Sequence, residues 1–203
     1  MKLTIIQPAI GKKDEKNYVR TWQMEPLSPA IIASLTPTDV ELVFYDDRIE
    51  YIVYDEKTDL VAMPVETFTA KRAYIIASKF RERGIPVILG GIHPTLVPEE
   101  AMEFADAVVV GELEGVWHKV IDDFKNNNLK EVYYAEKTDL IGIKPDRSIF
   151  EGKNYLPLAL VETGRGCVFS CDFCSIYAAH NRTHRRRPVQ DVVEEIKSLK
   201  KKN

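Results

Sequence analysis

Apolar residues in this chain follow two rhythms, and the alternation between them predicts the fold. Short runs with little polar interruption read as strands: residues 3–8 (LTIIQP), 40–47 (VELVFYDD), 59–65 (DLVAMPV), 85–91 (IPVILGG) and 105–112 (ADAVVVGE). Between them the spacing becomes helical. Residues 28–35 (SPAIIASL) start behind a serine suited to an N-cap. Ala70, Ala73, Tyr74, Ala77 and Phe80 share one helical face, and Gly84 supplies a stop. Residues 98–104 (PEEAMEF) open with proline and two acids, as a first helical turn favours. Residues 114–128 (EGVWHKVIDDFKNNN) form the last helix of the series, and residues 131–136 (EVYYAE) supply an edge strand. Such alternation predicts a parallel sheet covered by helices.

Periodicity is lost between residues 137 and 155, where Gly142, Pro145 and Gly152 mark a linker. The chain therefore divides into an α/β unit over residues 1–136, a linker over 137–155 and a second unit over 156–203. In that second unit, residues 156–167 (LPLALVETGRGC) read as a strand running into a cysteine loop. Val189, Val192, Val193, Ile196 and Leu199 then line one face of a helix, whose closing Lys200, Lys201 and Lys202 suit its dipole. One strand and one helix cannot bury both of their faces. Either the pair docks on the first unit, or residues 156–203 begin a truncated domain and the chain is the front part of a longer protein; truncation is the expectation.

Charge changes this picture in one place only. The net charge of −3 over 203 residues carries no nucleic-acid signature. The exception is a basic run at 180–188 (HNRTHRRRP), read either as a solvated loop or as a cradle for an anionic cofactor or substrate. No apolar run reaches the roughly 18 residues of a membrane span. The N-terminus lacks the long apolar core of a signal peptide, and the cysteine number is odd, so a disulfide framework is not expected and a reducing cytoplasm is.

Candidate chemistry concentrates in residues 162–177 (ETGRGCVFSCDFCSIY), which hold all 3 cysteines of the chain: Cys167, Cys171 and Cys174. Clustered thiolates bind soft metals. A structural zinc needs a fourth ligand, which His180 or His184 could supply. A cubane iron–sulfur cluster normally takes four cysteines, so three leave one iron open to a small molecule. Buried inert thiols are the remaining reading.

The CxxxCxxC spacing, the preceding RGC and the aromatic Phe173 before the last cysteine resemble the radical S-adenosylmethionine (radical SAM) enzymes. The resemblance implies that Cys167, Cys171 and Cys174 hold a 4Fe–4S cluster whose fourth iron chelates S-adenosylmethionine, with Phe173 near the adenine. It implies cleavage of S-adenosylmethionine to a 5′-deoxyadenosyl radical, an electron donor such as flavodoxin or ferredoxin, and a (β/α) barrel whose first strand leads into the motif.

A Rossmann dinucleotide site is not expected in the first unit, because only Gly11 follows the first strand where GxGxxG is required. Gly90 and Gly91 end the fourth strand instead, at the edge where α/β sheets bind ligands, and two glycines there can admit a flat ligand or simply make a tight turn. Residues 1–136 resemble the cobalamin-binding domain joined to many radical SAM enzymes, through YDDR, VETFTAKRAY, GGIHPT and VVVGELEGVW after successive strands. A flavodoxin-like sheet with cobalamin over its strand C-termini is implied. Glu66, Thr67, Gly90, Gly91, His93 and Gly111 are the implied corrinoid-facing edge, with Glu112 beside them. Two letters depart: in DDRIEY, Arg48 stands where cobalamin carriers using DxHxxG place the cobalt-ligating histidine and Tyr51 where they place glycine, and an arginine offers cobalt no lone pair. His93 is the other candidate ligand. The expected function is a cobalamin-dependent radical SAM methyltransferase acting on an unactivated carbon of a small-molecule or lipid substrate. The alternatives are a radical SAM enzyme whose first unit is a scaffold without cobalamin, and a non-catalytic zinc-binding fragment.

Overall fold

The computed structural model describes residues 1–13, 16–17 and 22–200. The two outermost lysines of the final run lie outside them. The first strand, β1 (Lys2–Gln7), is buried on both faces at Leu3, Thr4, Ile5 and Ile6, as a central parallel strand must be. A two-residue ribbon, β2 (Lys12–Lys13) with β3 (Lys16–Asn17), interrupts the path to helix α1 (Leu27–Leu35). There follow β4 (Glu41–Asp46), β5 (Leu60–Pro64), α2 (Ala70–Arg81), β6 (Val87–Gly90), the short α3 (Ile92–Leu96), α4 (Pro98–Phe104), β7 (Ala107–Val110), α5 (Trp117–Lys125) and β8 (Val132–Tyr134). The six long strands pair in parallel in the order β4-β1-β5-β6-β7-β8. The order reverses between β1 and β5, which is the switch point of a doubly wound α/β sheet.

Two apolar layers sandwich the sheet. One carries Ala30, Ile32 and Ala33 of α1 against Trp117, Val120 and Ile121 of α5; the other carries Ala73, Ala77 and Phe80 of α2 with Ala101 of α4. Trp117 Nε1 donates to Thr36 Oγ1 at 2.9 Å, so the largest core side chain also leaves its one polar atom satisfied. Residues 137–155 pack on the first layer through Phe150, whose ring lies 5.4 Å from that of Phe44, with Ile149 and Tyr155 beside it.

The second unit holds β9 (Gly164–Gly166), α6 (Ser175–His180), β10 (His184–Arg186) and α7 (Val189–Lys200), with β9 and β10 paired antiparallel. Here the structure departs from the sequence pattern. The expected strand over 156–167 shrinks to β9, because among the described residues no strand pairs with residues 156–163, whose backbone bonds go to Gln23, Arg147 and Arg187 instead; Leu158 is left 57% exposed. On α7 the apolar face is largely outside, with Val189 78% exposed, while Glu195 is buried. Ser28 is not a cap either: α1 begins one residue earlier, and Pro26 takes the N-cap position with no side-chain bond. The segment after β6, to which the sequence pattern assigns no element, forms α3, which Gly91 makes possible by turning with φ +101°. Among the described residues no helix is long and apolar enough to cross a membrane.

Candidate functional site

Parallel strands bring their C-terminal ends to one edge, so the loops after β5, β6, β7 and β8 stand side by side. They wall a cavity of about 530 Å³, with Pro64, Gly90, Gly111 and Ala135 on the sheet side. The roof comes from the second unit: Glu162 and Arg165 before the cysteine loop, and Ala179 and His180 at the end of α6. A second cavity of about 400 Å³ lies at the switch point, lined by Gln7, Arg48 and Phe68 among others. Leu27, Ser28 and Glu66 line both.

The residues expected at the corrinoid edge separate into two groups. Glu66, Gly90, Gly91, Gly111 and Glu112 line the larger cavity; Thr67 and His93 line neither. Glu66 is exposed at its tip, but the surrounding protein pushes its carboxyl above the usual carboxylate range. Thr67 opens a single turn of 3₁₀ helix, Thr67–Thr69, beside the edge. His93 is buried, with Nε2 3.0 Å from Tyr74 Oη and 3.4 Å from Glu100 Oε1, so that nitrogen is engaged by protein. The glycines have a nearer reason than ligand access. A Cβ on Gly91 would lie 2.9 Å from the Val65 backbone, and one on Gly111 2.7 Å from Ala135 O, both at positive φ. Neighbouring loops, rather than an open face, fill those spaces.

Arg48 has a structural partner. Its Nε donates to Asp46 Oδ1 at 2.8 Å and its Nη2 to Asp46 Oδ2 at 2.6 Å, while Tyr155 Oη donates to the same Oδ2 at 2.8 Å. The adjacent Asp47 accepts two bonds from Arg72, at 2.8 and 2.9 Å, and Lys12 Nζ lies 2.7 Å from its Oδ1. The YDDR signature thus closes the C-terminal end of β4 with two fully buried carboxylates, each neutralised by arginine.

Cys167, Cys171 and Cys174 are all free thiols, two half-buried and Cys171 exposed. A turn over Asp172 and Phe173 brings Cys174 N to Cys171 O at 3.1 Å and leaves Phe173 92% exposed at its tip. Cys174 is the N-cap residue of α6, so the loop hands its direction to the helix that roofs the cavity. Among the described residues no group of three or more histidine, cysteine or acidic side chains stands gathered for a metal ion. His180 turns to Glu112, with Nδ1 3.6 Å from Oε1, and His184 is exposed.

The residues that sequence reasoning passed over are the charges joining the two units. Arg165 donates to Glu162 at 2.9 Å, to Glu112 at 3.2 Å and to Glu114 at 2.7 Å. Burial works against its charge, but the bonds to Glu162 and Glu114 outweigh it and hold the guanidinium well above its ordinary pKa. Arg185 grips Glu112 through both Nη atoms. Arg187 donates to Glu195 at 2.6 Å, and Arg147 joins Glu195 to Glu25 at 2.9 and 3.0 Å. The basic run is therefore neither wholly solvated nor a ligand cradle: Arg182, His184 and Arg186 face solvent, while Arg185 and Arg187 turn inward. A signal was present in the letters of the basic run, since the inward pair Arg185 and Arg187 sit two apart, the spacing of one strand face.

No family model matches the chain. It is similar to enzymes of methyl transfer. It is 36% identical over 173 residues to the bacteriochlorophyllide d C-8(2)-methyltransferase of Chlorobaculum tepidum, covering 79% of this chain and 37% of that enzyme. It is 29% identical over 181 residues to the bacteriochlorophyllide d C-12(1)-methyltransferase of the same organism, covering 85% and 40%. It is 24% identical over 181 residues to the hopanoid C-2 methylase of Rhodopseudomonas palustris, covering 85% and 34%. The chain spans about two fifths of the length of the first two of these curated relatives.

Proposed function

We propose that this chain forms the sheet unit and the cysteine-bearing segment of a cobalamin-dependent radical SAM methyltransferase that acts on an unactivated carbon. The observation that carries the reading is that the three-thiol loop joins the two parts of the cavity roof, Glu162 and Arg165 before it and Ala179 and His180 after it, at the C-terminal edge of the sheet. Similarity to methyltransferases of bacteriochlorophyllide and to a hopanoid methylase supports methyl transfer and favours a large, mostly apolar small-molecule or lipid substrate. Flavodoxin or ferredoxin is the proposed class of electron donor.

The donor set fits an iron–sulfur cluster: three unpaired thiols in one loop, none sequestered in the apolar core. Cys167, Cys171 and Cys174 would hold it, and when bound it supplies the electron that cleaves S-adenosylmethionine. Phe173, free at the tip of the turn, is available to stack on an adenine. For cobalamin the fit lies in the walls: Gly90, Gly91, Gly111 and Glu66 at the edge, with Thr67 next to it. No histidine comes from the sheet unit to cobalt, because Arg48 occupies the loop after β4 and His93 is held by Tyr74 and Glu100.

A second reading, a sheet unit that serves as scaffold without cobalamin, is favoured by the backbone contacts that already account for Gly91 and Gly111. One anaerobic experiment separates the two. The chain is loaded with iron and sulfide and titrated with hydroxocobalamin. About four irons and four sulfides per chain, lost in Cys171→Ala, together with saturable corrinoid binding, support the first reading. A cluster without corrinoid binding moves the assignment to the scaffold. Stoichiometric zinc without sulfide overturns both.

A further inference from the structure

Arg165 and Arg185 stand directly opposite each other in the β9–β10 ribbon, where like charges repel. What makes the pairing tolerable is one carboxylate. Glu112 Oε2 accepts from Arg165 Nη1 at 3.2 Å and from Arg185 Nη1 at 2.9 Å, and Oε1 accepts from Arg185 Nη2. His180 Nδ1 lies 3.6 Å from Oε1. Arg165 has Glu114 and Glu162 besides, but among the described residues Glu112 is the only acid on Arg185. In sequence, Arg165 lies two residues before Cys167, and His180 lies six after Cys174. The two arginines and the imidazole that meet at Glu112 thus come from both ends of the stretch that carries the thiols. Glu112 belongs to the other unit, on the loop leaving β7, and its side chain is only 8% exposed. With its lone pairs taken by guanidinium donors, it has little left for a ligand in the cavity.

We propose that Glu112 is a positioning residue whose carboxylate clamps both ends of the thiol-bearing segment to the sheet edge and so sets where the three sulfurs stand over the cavity. The clamp rests on the ion pairs; only its consequence for catalysis rests on reading the thiols as iron ligands. Gln in its place keeps the shape but loses the charge that two opposed arginines require, and Asp keeps the charge with a shorter reach.

Hydrogen exchange followed by mass spectrometry tests this on the chain before and after anaerobic loading with iron and sulfide. In Glu112→Gln, amides of residues 164–186 should exchange about tenfold faster than in the parent chain, while β1, β5 and β6 keep their protection. Glu112→Asp should recover part of the difference. Iron and sulfide uptake should match the parent, because the ligands are untouched, yet a chelator should bleach the loaded variant about tenfold faster. Unchanged exchange in residues 164–186 overturns the clamp, as does equal acceleration in every strand. Should the parent chain take up no cluster, the functional reading falls while the exchange result still decides the clamp.

Discussion

The two units of this protein are held by opposite chemistry. In the sheet unit the interior is mostly hydrocarbon, with Leu3, Ile5, Leu60, Val61, Leu89 and Val120 wholly removed from solvent and buried charge at the end of β4, where Asp46 and Asp47 meet Arg48 and Arg72. In the cysteine-bearing unit the interior is charge. Arg187 and Glu195 are buried there, whereas Leu158, Phe169, Val189 and Ile196 face outward. Apolar burial is nondirectional and strengthens with area, so the sheet unit can form from its own pattern. A buried ion pair holds its partners in one geometry but adds little net stability, because desolvation offsets the attraction. The cysteine-bearing unit is therefore positioned firmly and stabilised weakly.

Truncating the hydrocarbon side should have the largest effect. Phe80, 1% exposed in the layer under α2, becomes a cavity in Phe80→Ala, and the whole chain should lose about 3–5 kcal/mol in urea denaturation. The comparison breaks if that loss is confined to residues 156–200. On the charged side, Glu195→Gln removes the carboxylate shared by Arg187 and Arg147. Each arginine keeps other partners, Glu162 O and Ile143 O for Arg187 and Glu25 for Arg147. The expected cost is thus about 1–3 kcal/mol, felt locally. Limited proteolysis should cut between residues 187 and 200 sooner, with the urea midpoint of the sheet unit unchanged.

The smallest effect is one of pH. Burial holds the His180 imidazole below its ordinary value; Glu112 opposes this, and Arg165, Arg185 and Lys137 add to it. Once released, the ring returns to about 6.5, so the released form binds the proton first. Docking is fully stable above that pH and weakens as pH falls through the lowered docked value. Exchange of the α6 amides measured from pH 7.5 down to 5.5, corrected for intrinsic rates, should show protection falling in that window, and His180→Gln should flatten the trend.

How much was legible in the letters differs between the same two regions. Every strand of the main sheet and the helices α2, α4 and α5 could be read from periodicity, because an apolar core rewards the residues that face it wherever the chain runs. The thiol loop was legible as a spacing, since CxxxCxxC needs no neighbour to be noticed. The helix α3 was not, because it depends on Gly91 fitting against Val65. Nor was the role of the basic run, because an ion pair is a meeting of residues far apart: Glu112 and Arg185 lie 73 positions from each other.

Local sequence by itself determined the alternation of strand and helix, the parallel sheet and the clustering of three thiols in one loop, because backbone periodicity and ligand spacing act over a few residues. Tertiary structure alone decided which side of the second unit faces in, that Arg48 and His93 serve protein partners, and that the segments flanking the thiol loop roof the sheet edge. The physical reason is that charge pairing and steric fit depend on distance in space, and only the folded chain sets that distance.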